Sequence, residues 1–439
     1  MPFLKWAYQP PVVVVPGITA TGLEDYYPMP PEPVWSAVLT KDYDRLAMHP
    51  DDVRYEAREP ALVRAVQPFG VVYEDLVDAL RYDLTARADR PTPVFLFGYD
   101  WRQDCRATAV QLEAFIDETL ERTRLLPHYR TRDGAPLDGM RVDLVAHSMG
   151  GLVVADCLAR LAKTAAGKRK VRRVVTMATP FQGSVDAVEK LSTGLGSFSG
   201  TTPHSRERES ARTIPAVYQL LPTYPGAVRP EPGMPGNLLA LDTWQPSVLA
   251  TLSTYIRRHK ARIGARDLLA RYLAGVRALR SAANSLDLDK VLPEGRDGWM
   301  PIAGVGAETR PYTGIVNYKN NPWFAVADRT DRWSGDRASR ETGDGTVPFD
   351  GAAPYPSVLE TERLVCVSPG EFGFLEVRDR VLARAAGFHA SLPNMNLVQR
   401  LAIRFLKPEF DTDLQAWPAP GVATPLWPKE LRIANLEGG

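Results

Sequence analysis

Ser148 is the first residue whose type and surroundings could carry out chemistry. It follows a short apolar run and precedes an amphipathic segment in Ala146-His147-Ser148-Met149-Gly150, a pattern that predicts a strand, a tight turn and a helix. Such a turn exposes a serine hydroxyl, and small neighbours let the backbone approach closely; alanine replaces the usual first glycine. The spacing is typical of a serine nucleophile, although serine at such a junction also serves in helix capping or packing.

Two residues later in the chain could supply the proton transfers that a serine nucleophile needs. Asp344 lies between two glycines, and His389 follows the last predicted strand. In the order Ser148, Asp344, His389, the histidine would take the serine proton and the aspartate would orient the imidazole. No alternating oxygen ligands follow Asp344, which disfavours a calcium loop. Asp336 and Asp350 are the alternative acids.

The loop after the first predicted strand is a candidate for binding the negative charge of a tetrahedral intermediate. The apolar run at 12–15 leads directly into Pro16-Gly17-Ile18-Thr19. In sites of this design one backbone N–H comes from such a loop and one from the residue after the nucleophile. We therefore predict Met149 and either Ile18 or Thr19 as oxyanion-hole donors. A plain strand and turn would give the same pattern.

Four further residues are candidates for substrate contact. Trp35 lies in a proline-rich excursion at 24–60, which is long for a simple connection, and is interpreted as a wall of the substrate pocket or as a buried stabilising residue. Tyr99 and Phe181 follow predicted strands, where ligand sites form in α/β proteins. His147 adjoins the nucleophile, where either packing or substrate contact is expected.

Apolar strands alternate with amphipathic helices along much of the chain. The apolar patterns predict strands at 12–15, 93–97, 142–145 and 171–177 with helices at 71–84 and 111–126, then strands at 302–306 and 364–367 and a helix at 397–406. Runs that are apolar on both faces indicate a largely parallel sheet covered by helices on both sides. Asp100 and Arg102 are expected to pair and to support a loop.

Residues 185–299 interrupt this alternation. They contain a Gly/Ser/Thr-rich segment and then helices, one of them amphipathic around Leu268 to Leu279. We predict a discontinuous α/β core at 1–184 and 300–407, a helical cap or lid at 185–299 and a proline-rich tail at 408–439. A cap would exclude water from the chemistry, although an independent regulatory module would give the same pattern.

Composition disfavours several classes of protein. The 439 residues carry a net charge of +1, which gives no bulk electrostatic reason to bind nucleic acid or an anionic membrane. Three dispersed cysteines fit neither a disulfide framework nor zinc-ligand spacing, so neither a metal nor a cofactor is predicted. No signal-peptide pattern and no membrane-spanning apolar run is found, which predicts a cytoplasmic protein unless a signal-independent route exports it.

Several motifs together resemble one known family. The chain resembles the lecithin:cholesterol acyltransferase-like α/β-hydrolases, which include phospholipases, esterases and acyltransferases, over most of residues 10–400. The resemblance rests on Val15-Pro16-Gly17-Ile18, Tyr99-Asp100-Trp101-Arg102, the blocks at 146–151, 178–184, 215–222 and 343–348, and His389. It implies an α/β-hydrolase fold with a lid, the triad Ser148, Asp344 and His389, and Trp35 as a pocket wall. Unlike the secreted members, this chain lacks a signal peptide and the cysteine pairs of their lid loops.

These residues predict a serine-dependent acyl ester hydrolase, or an O-acyltransferase, that works through an acyl-Ser148 intermediate. The expected substrate is a lipid or another acyl ester, and no obligate protein partner is evident. Transient contact with a membrane surface would need exposed apolar side chains. Two alternatives stay open: a hydrolase-fold protein that binds without turnover, and the same chemistry deployed as an exported lipolytic toxin.

Overall fold

The computed structural model describes residues 8–36, 42–50, 62–164, 170–193, 205–325, 342–373, 376 and 387–407. The strands are β1 Val12–Val15, β2 Thr21–Asp25, β3 Glu32–Trp35, β4 Val63–Pro68, β5 Val94–Leu96, β6 Val142–His147, β7 Val171–Met177, β8 Val228–Pro230, β9 Trp299–Gly304, β10 Thr313–Tyr318, β11 Asn321–Phe324 and β12 Val365–Val367. The tail predicted at 408–439 lies outside the described residues.

Helices connect these strands. They are α1 Tyr43–Leu46, α2 Gly70–Asp83, α3 Cys105–Thr123, α4 Met149–Leu161, α5 Val185–Ser192, α6 Ser205–Ala211, α7 Pro215–Gln219, α8 Pro246–His259, α9 Ala265–Asn284, α10 Phe349–Ala352, α11 Phe388–Ser391 and α12 Asn396–Leu406. Short 3-10 turns occur at Pro127–Tyr129, Leu241–Thr243, Leu288–Lys290, Gly295–Gly298, Thr361–Arg363, Pro369–Glu371 and Leu392–Asn394. Within the described ranges, no helix is both long and apolar enough to cross a bilayer.

A parallel sheet forms the centre of the molecule. In the described residues it has six strands in the order β12-β9-β7-β6-β1-β5, and every neighbouring pair is parallel. Each strand therefore ends at the same edge, where the loops that follow β1, β6 and β7 come together. The predicted fold class, a mostly parallel sheet with helices around it, is confirmed.

The two faces of the central sheet are covered by different helices. Val13 and Val15 join the buried cluster that includes α3 and α4, whereas Val12 and Val14 join α2 and α12. This two-residue alternation explains why β1 reads as a continuous apolar run, since both of its faces are buried. Full burial of a valine contributes about 1.5 to 3 kcal/mol before conformational entropy is subtracted.

Two small sheets lie outside the central one. Antiparallel strands β3-β2-β4 follow β1, and β11-β10-β8 includes the hairpin that follows β9. The sequence pattern did not predict the first of these sheets, because the segments that form β3 and β4 show no regular alternation of apolar residues. The tip of this sheet carries exposed apolar side chains, which we call the apolar rim: Tyr26, Tyr27, Met29 and Leu62, exposed by 40%, 63%, 95% and 41%.

The segment predicted as a cap contributes α5 to α9 and β8 among the described residues, and its status as a separate unit stays a prediction. Its longest helix, α9, is fastened to the core by the buried Arg280. The guanidinium donates to the carbonyls of Phe181 at 2.7 Å and Gln219 at 2.8 Å, and also to those of Pro180 and Leu221. One side chain thus joins α9, the loop after β7 and the end of α7.

The start of β7 fixes the end of α12, the helix that follows His389. Arg172 forms a buried ion pair with Asp143, and Arg173 pairs with Glu294 at 2.7 Å. Arg173 also donates to the carbonyls of Phe405 and Lys407, which are among the last carbonyls of α12 and would otherwise lack donors. This arrangement holds α12 against the sheet.

Candidate active site

Ser148 occupies a strained turn between β6 and α4. Its backbone has φ 53° and ψ −129°, a left-handed conformation that costs about 1 to 3 kcal/mol for a residue other than glycine. The Ser148 N–H donates to the carbonyl of Met177 at 2.8 Å, which fixes the turn against the end of β7. This backbone strain lowers the stability of the folded protein. In this conformation the Ser148 hydroxyl points away from β6 and α4.

The glycines after Ser148 are required by close contacts with the backbone of Val15 and with the side chain of Thr179. A Cβ at Gly150 would lie 2.4 Å from the carbonyl oxygen of Val15, and one at Gly151 would lie 1.9 Å from Thr179 Oγ1. Both distances are far inside van der Waals contact. At the first motif position, by contrast, the methyl group of Ala146 is accommodated in the buried core.

The structure brings Ser148, His389 and Asp344 into one hydrogen-bonded chain. His389 Nε2 lies 2.8 Å from Ser148 Oγ, and His389 Nδ1 lies 2.7 Å from Asp344 Oδ2. A carboxylate only accepts, so Nδ1 carries the proton and Nε2 is free to accept the serine hydroxyl proton. The backbone N–H of His389 also donates to the carbonyl of Asp344 at 3.0 Å.

Asp344 is held rigidly by its own loop. Its Oδ1 accepts from the N–H groups of Thr346 at 2.9 Å and Val347 at 2.7 Å, which leaves Oδ2 for the imidazole. Of the alternative acids, Asp350 lies in α10, and Asp336 lies outside the described residues. Sequence reasoning also missed Thr309, whose hydroxyl accepts from the N–H of Gly345 at 2.7 Å and so supports this loop.

The pKa of His389 is set by opposing influences. Burial lowers it, while the charge and the hydrogen bond of Asp344 raise it, and the net pKa lies above the ordinary value of 6.5. A base of raised pKa binds a transferred proton more firmly in the transition state. The arrangement suits a group that takes a proton from Ser148 and returns it to a leaving group.

The backbone N–H groups near Ser148 that have no acceptor among the described residues include those of Ile18, Thr19 and Met149. Met149 is the first residue of α4, where a helix has unpaired N–H groups and a positive dipole end. Thr19 has φ 64°. A Cβ built on Gly17 would lie 2.9 Å from Ser148 Cβ, so the loop at 16–19 and the turn at the start of α4 both border the Ser148 hydroxyl. These are the groups predicted as oxyanion-hole donors.

The predicted substrate residues divide into two kinds. Trp35 and Phe181 each line a small cavity: Trp35 with Trp101, Tyr43, Leu46, Ile214 and others, and Phe181 with Ala155, Trp299, Tyr355 and others. Tyr99 and His147 are buried and bonded to backbone atoms instead. Tyr99 Oη donates to the carbonyl of Pro16 at 2.8 Å, and the His147 ring nitrogens lie 2.9 Å from Tyr73 Oη and 3.0 Å from the His389 carbonyl oxygen.

Trp35 also has a polar contact at the site. Its Nε1 donates to the carbonyl of Thr19 at 2.7 Å, and its ring lies edge-on to Trp101 with centroids 5.3 Å apart. This hydrogen bond stabilises the loop that carries Thr19. Asp100 and Arg102 form the predicted pair through two hydrogen bonds of 2.9 and 2.8 Å, and Arg102 also donates to the carbonyl of Arg45 at 3.1 Å.

Tyr73, on α2, is the main site residue that sequence reasoning missed. Its hydroxyl accepts the N–H of Gly17 at 2.8 Å and contacts His147. The one available signal was a tyrosine within an apolar helix face, since a buried hydroxyl normally finds a partner. In the described ranges, no group of three or more His, Cys, Asp and Glu side chains could hold a metal ion.

Comparison with known proteins bears on this geometry. Residues 72–231 match the family model for lecithin:cholesterol acyltransferase. The resemblance to the lecithin:cholesterol acyltransferase-like α/β-hydrolases is confirmed. The matched segment includes Ser148 and ends before Asp344 and His389. It supports a lipolytic hydrolase or an acyltransferase as the general class.

A solved structure shares the fold over nearly the whole chain. The Tle4 and Tli4 complex matches with a TM-score of 0.63 and 14% identity, covering 91% of this chain and 98% of the other. The mature lipase BlEst2 of Bacillus licheniformis matches with a TM-score of 0.37 and 12% identity, covering 93% and 96%. At such identities the first match supports the fold alone. No relative is found among curated proteins.

Proposed function

We propose that the protein is a serine-dependent acyl ester hydrolase, or an O-acyltransferase, that forms an acyl-Ser148 intermediate. The observation that carries the proposal is the continuous hydrogen-bond chain from Ser148 Oγ through His389 to Asp344, built on a strained turn beside unpaired N–H groups. A nucleophile, a base, an orienting acid and anion-binding donors are the groups that acyl transfer needs.

In the proposed first half-reaction, Ser148 Oγ attacks the acyl carbonyl while its proton passes to His389 Nε2. The carbonyl oxygen becomes an oxyanion that accepts hydrogen bonds from Met149 N–H and from Ile18 or Thr19 N–H. Asp344 stabilises the imidazolium and does not itself take the proton. As the C–O bond to the leaving alcohol breaks, His389 returns the proton to that alcohol, and acyl-Ser148 remains.

In the second half-reaction, an incoming hydroxyl attacks the acyl-Ser148 carbonyl. His389 Nε2 removes its proton, the oxyanion forms again at the same donors, and the proton returns to Ser148 Oγ as the ester bond breaks. Water as the acceptor gives a carboxylic acid, and an alcohol gives a new ester. Adding a primary alcohol to the assay and measuring the ratio of new ester to free acid therefore separates the two activities.

A lipid ester is the proposed substrate class. The apolar rim belongs to the sheet that begins at Thr21, immediately after the loop of the proposed oxyanion donors. Exposed tyrosine and methionine side chains at a loop tip suit the interface of a bilayer, where aromatic rings concentrate. A surface of this kind would bring the site to an ester that stays in the membrane.

The decisive test uses para-nitrophenyl esters of several chain lengths with wild type and Ser148→Ala. We expect a burst of nitrophenol followed by steady turnover from wild type and neither from the variant. Intact mass after a fluorophosphonate probe should show one adduct, absent from Ser148→Ala. A well-folded wild type that neither turns over nor labels would favour a binding protein without catalysis.

The lipid proposal has a separate test. In cosedimentation with phosphatidylcholine vesicles, the double substitution Tyr27→Ser with Met29→Ser should lower binding about 10-fold or more, since two apolar anchors are lost. Tyr82→Ser, which removes a tyrosine that is 83% exposed on α2, is the matched control. Hydrolysis of a soluble ester should stay unchanged in both; equal vesicle binding by both variants would contradict a role for the apolar rim.

A further inference from the structure

A second chain of buried hydrogen bonds runs behind the proposed triad. The N–H of Gly17 donates to Tyr73 Oη at 2.8 Å, Tyr73 Oη lies 2.9 Å from His147 Nδ1, and His147 Nε2 lies 3.0 Å from the carbonyl oxygen of His389. Tyr73 is 1% exposed and His147 is 5% exposed, so water does not compete for these contacts. We call this set the Tyr73–His147 bridge.

The direction of each hydrogen bond in the bridge follows from its ends. The carbonyl of His389 can only accept, so His147 Nε2 must carry a proton and donate it. Burial and the neighbouring His389 lower the pKa of His147 to about 3, which keeps the ring neutral and leaves Nδ1 as an acceptor. Nδ1 therefore accepts from the hydroxyl of Tyr73, and the Tyr73 oxygen in turn accepts from Gly17.

This direction leaves every polar group of the bridge satisfied. The Tyr73 hydroxyl donates once and accepts once, and both nitrogens of His147 are used. Burial also raises the pKa of Tyr73, so the phenol keeps the proton that it donates. Removing any one member would leave a buried donor or acceptor without a partner, which is costly.

The two ends of the bridge belong to different parts of the proposed machinery. Gly17 directly precedes the proposed oxyanion donors, and a Cβ built on it would lie 2.9 Å from Ser148 Cβ. The carbonyl at the other end belongs to His389, the proposed base. His147 itself precedes the nucleophile in the chain, and its ring centroid lies 5.1 Å from that of His389. The bridge therefore spans the loop at 16–19, the turn at Ser148 and helix α11, which carries His389.

We infer that Tyr73 and His147 are positioning residues that hold the loop at 16–19 and helix α11 in register around Ser148. The inference rests on the proposed function, since the placement of these two segments matters only if Ser148 is acylated. The bridge hydrogen bonds of the two side chains reach the backbone N–H of Gly17 and the backbone carbonyl of His389, so each side chain acts through a backbone group of a neighbouring segment. Because misplacement of reacting groups by about 1 Å can cost about 100-fold in rate, loss of the bridge should slow chemistry rather than substrate binding.

The main test is Tyr73→Phe, which removes one oxygen atom and keeps the ring. We expect the burst rate and kcat with a para-nitrophenyl ester to fall about 10- to 100-fold, while KM changes less than about twofold. The matched control is Tyr129→Phe, because Tyr129 is 2% exposed and its hydroxyl donates to the carbonyl of Gln9 at 2.7 Å, away from the site. Both variants should show a similar fall in melting temperature, but only Tyr73→Phe should lose rate.

A second pair of variants keeps the test independent of how well Tyr73→Phe folds. His147→Gln retains an amide N–H that can donate toward His389 and an oxygen that can accept from Tyr73, whereas His147→Leu retains neither. We expect His147→Gln to keep at least about 10-fold more of kcat than His147→Leu. Near-ultraviolet circular dichroism establishes that both are folded.

Three outcomes would overturn the inference, and the third is distinguishable from the first two. If wild type turns over and Tyr73→Phe keeps its kcat while losing the same thermal stability as Tyr129→Phe, the bridge is merely structural. Equal rates for His147→Gln and His147→Leu would lead to the same conclusion. If wild type itself neither turns over nor takes up a fluorophosphonate, the proposed function fails, and the inference fails with it.

Discussion

The backbone of Gly17 lies directly against the side chain of Ser148. A methyl group added to Gly17 would meet Ser148 Cβ at 2.9 Å and Oγ at 3.4 Å. Real Cβ atoms do not approach this closely, so either the loop or the serine would have to move. The loop at 16–19 and the turn at Ser148 therefore pack so closely that no additional carbon atom fits between them.

Gly17→Ala should consequently reduce turnover of a soluble ester about 10- to 100-fold, because the added methyl displaces Ser148 from His389 or the loop from Ser148. Steady-state kinetics with para-nitrophenyl butyrate provide the measurement. Gly370→Ala is the control, since its new methyl would come no closer than 3.5 Å to Ser368 Oγ. Wild-type kcat in a folded Gly17→Ala protein would show that the contact has no functional weight.

The backbone strain at Ser148 should lower the free energy of unfolding by a measurable amount. Ser148→Gly and Ser148→Ala both lose the hydroxyl and its bond to His389, but only glycine adopts φ 53° without a steric cost. After the larger chain entropy of glycine is subtracted, Ser148→Gly should be about 1 kcal/mol more stable than Ser148→Ala. Urea unfolding of the two variants gives the difference directly. An alanine variant as stable as the glycine variant would mean that the turn carries no strain.

The pH dependence of catalysis should report the titration of His389. Burial lowers its pKa, but Asp344 raises it, so that the net value lies above 6.5. Only the neutral imidazole can accept the Ser148 proton, so kcat/KM should fall as the pH drops through that raised pKa. His147, with its pKa lowered to about 3, should not contribute to this limb.

Asp344→Asn tests the cause of the raised pKa. Without the carboxylate charge, the acidic limb should move to lower pH, and the plateau rate should fall by about 10³- to 10⁴-fold because the imidazolium loses its partner. Values of kcat/KM measured between pH 5 and 9 for wild type and for Asp344→Asn supply the comparison. An acidic limb that keeps its wild-type midpoint in Asp344→Asn would assign the titration to another group.

Arg280 should be among the most important residues for stability in the helical segment. Arg280→Met removes the donors of four buried carbonyls and should lower the free energy of unfolding by about 3 kcal/mol or more. Arg277→Met, one turn earlier on the exposed side of α9, should cost less than about 1 kcal/mol. Denaturant unfolding measures both values, and similar losses would argue against the fastening of α9 by Arg280.

Part of this arrangement follows from local sequence. β1 is wholly apolar, β6 and β7 are largely apolar, and all three strands are buried on both faces, as is typical of a parallel sheet covered by helices. Gly150, Gly151 and Gly343 are required by close contacts with other residues, whereas Gly345 has φ 94°, which other residues adopt poorly. The glycines can be read from the sequence, although the residues that they contact cannot.

The remaining features depend on contacts between distant segments. Tyr73 belongs to the site because its hydroxyl meets Gly17 and His147 across the fold, and nothing in α2 indicates which hydroxyl will do so. Tyr99 was predicted as a substrate contact because it follows a strand, and His147 was predicted either to pack or to contact substrate because it adjoins Ser148; the polar atoms of both side chains bond to the protein. Position along a strand predicts the edge that a side chain occupies; its partner depends on packing.

Ser148 and His389 are 241 residues apart in the chain, although their side chains touch. At about 5 to 20 residues per second, a ribosome needs roughly 10 to 50 s to add the histidine after the serine. During that interval the nascent chain carries Ser148 without His389. On the proposed mechanism, lipid cleavage would begin only after residue 389 has been added, and chains that stop before it would lack the proposed base.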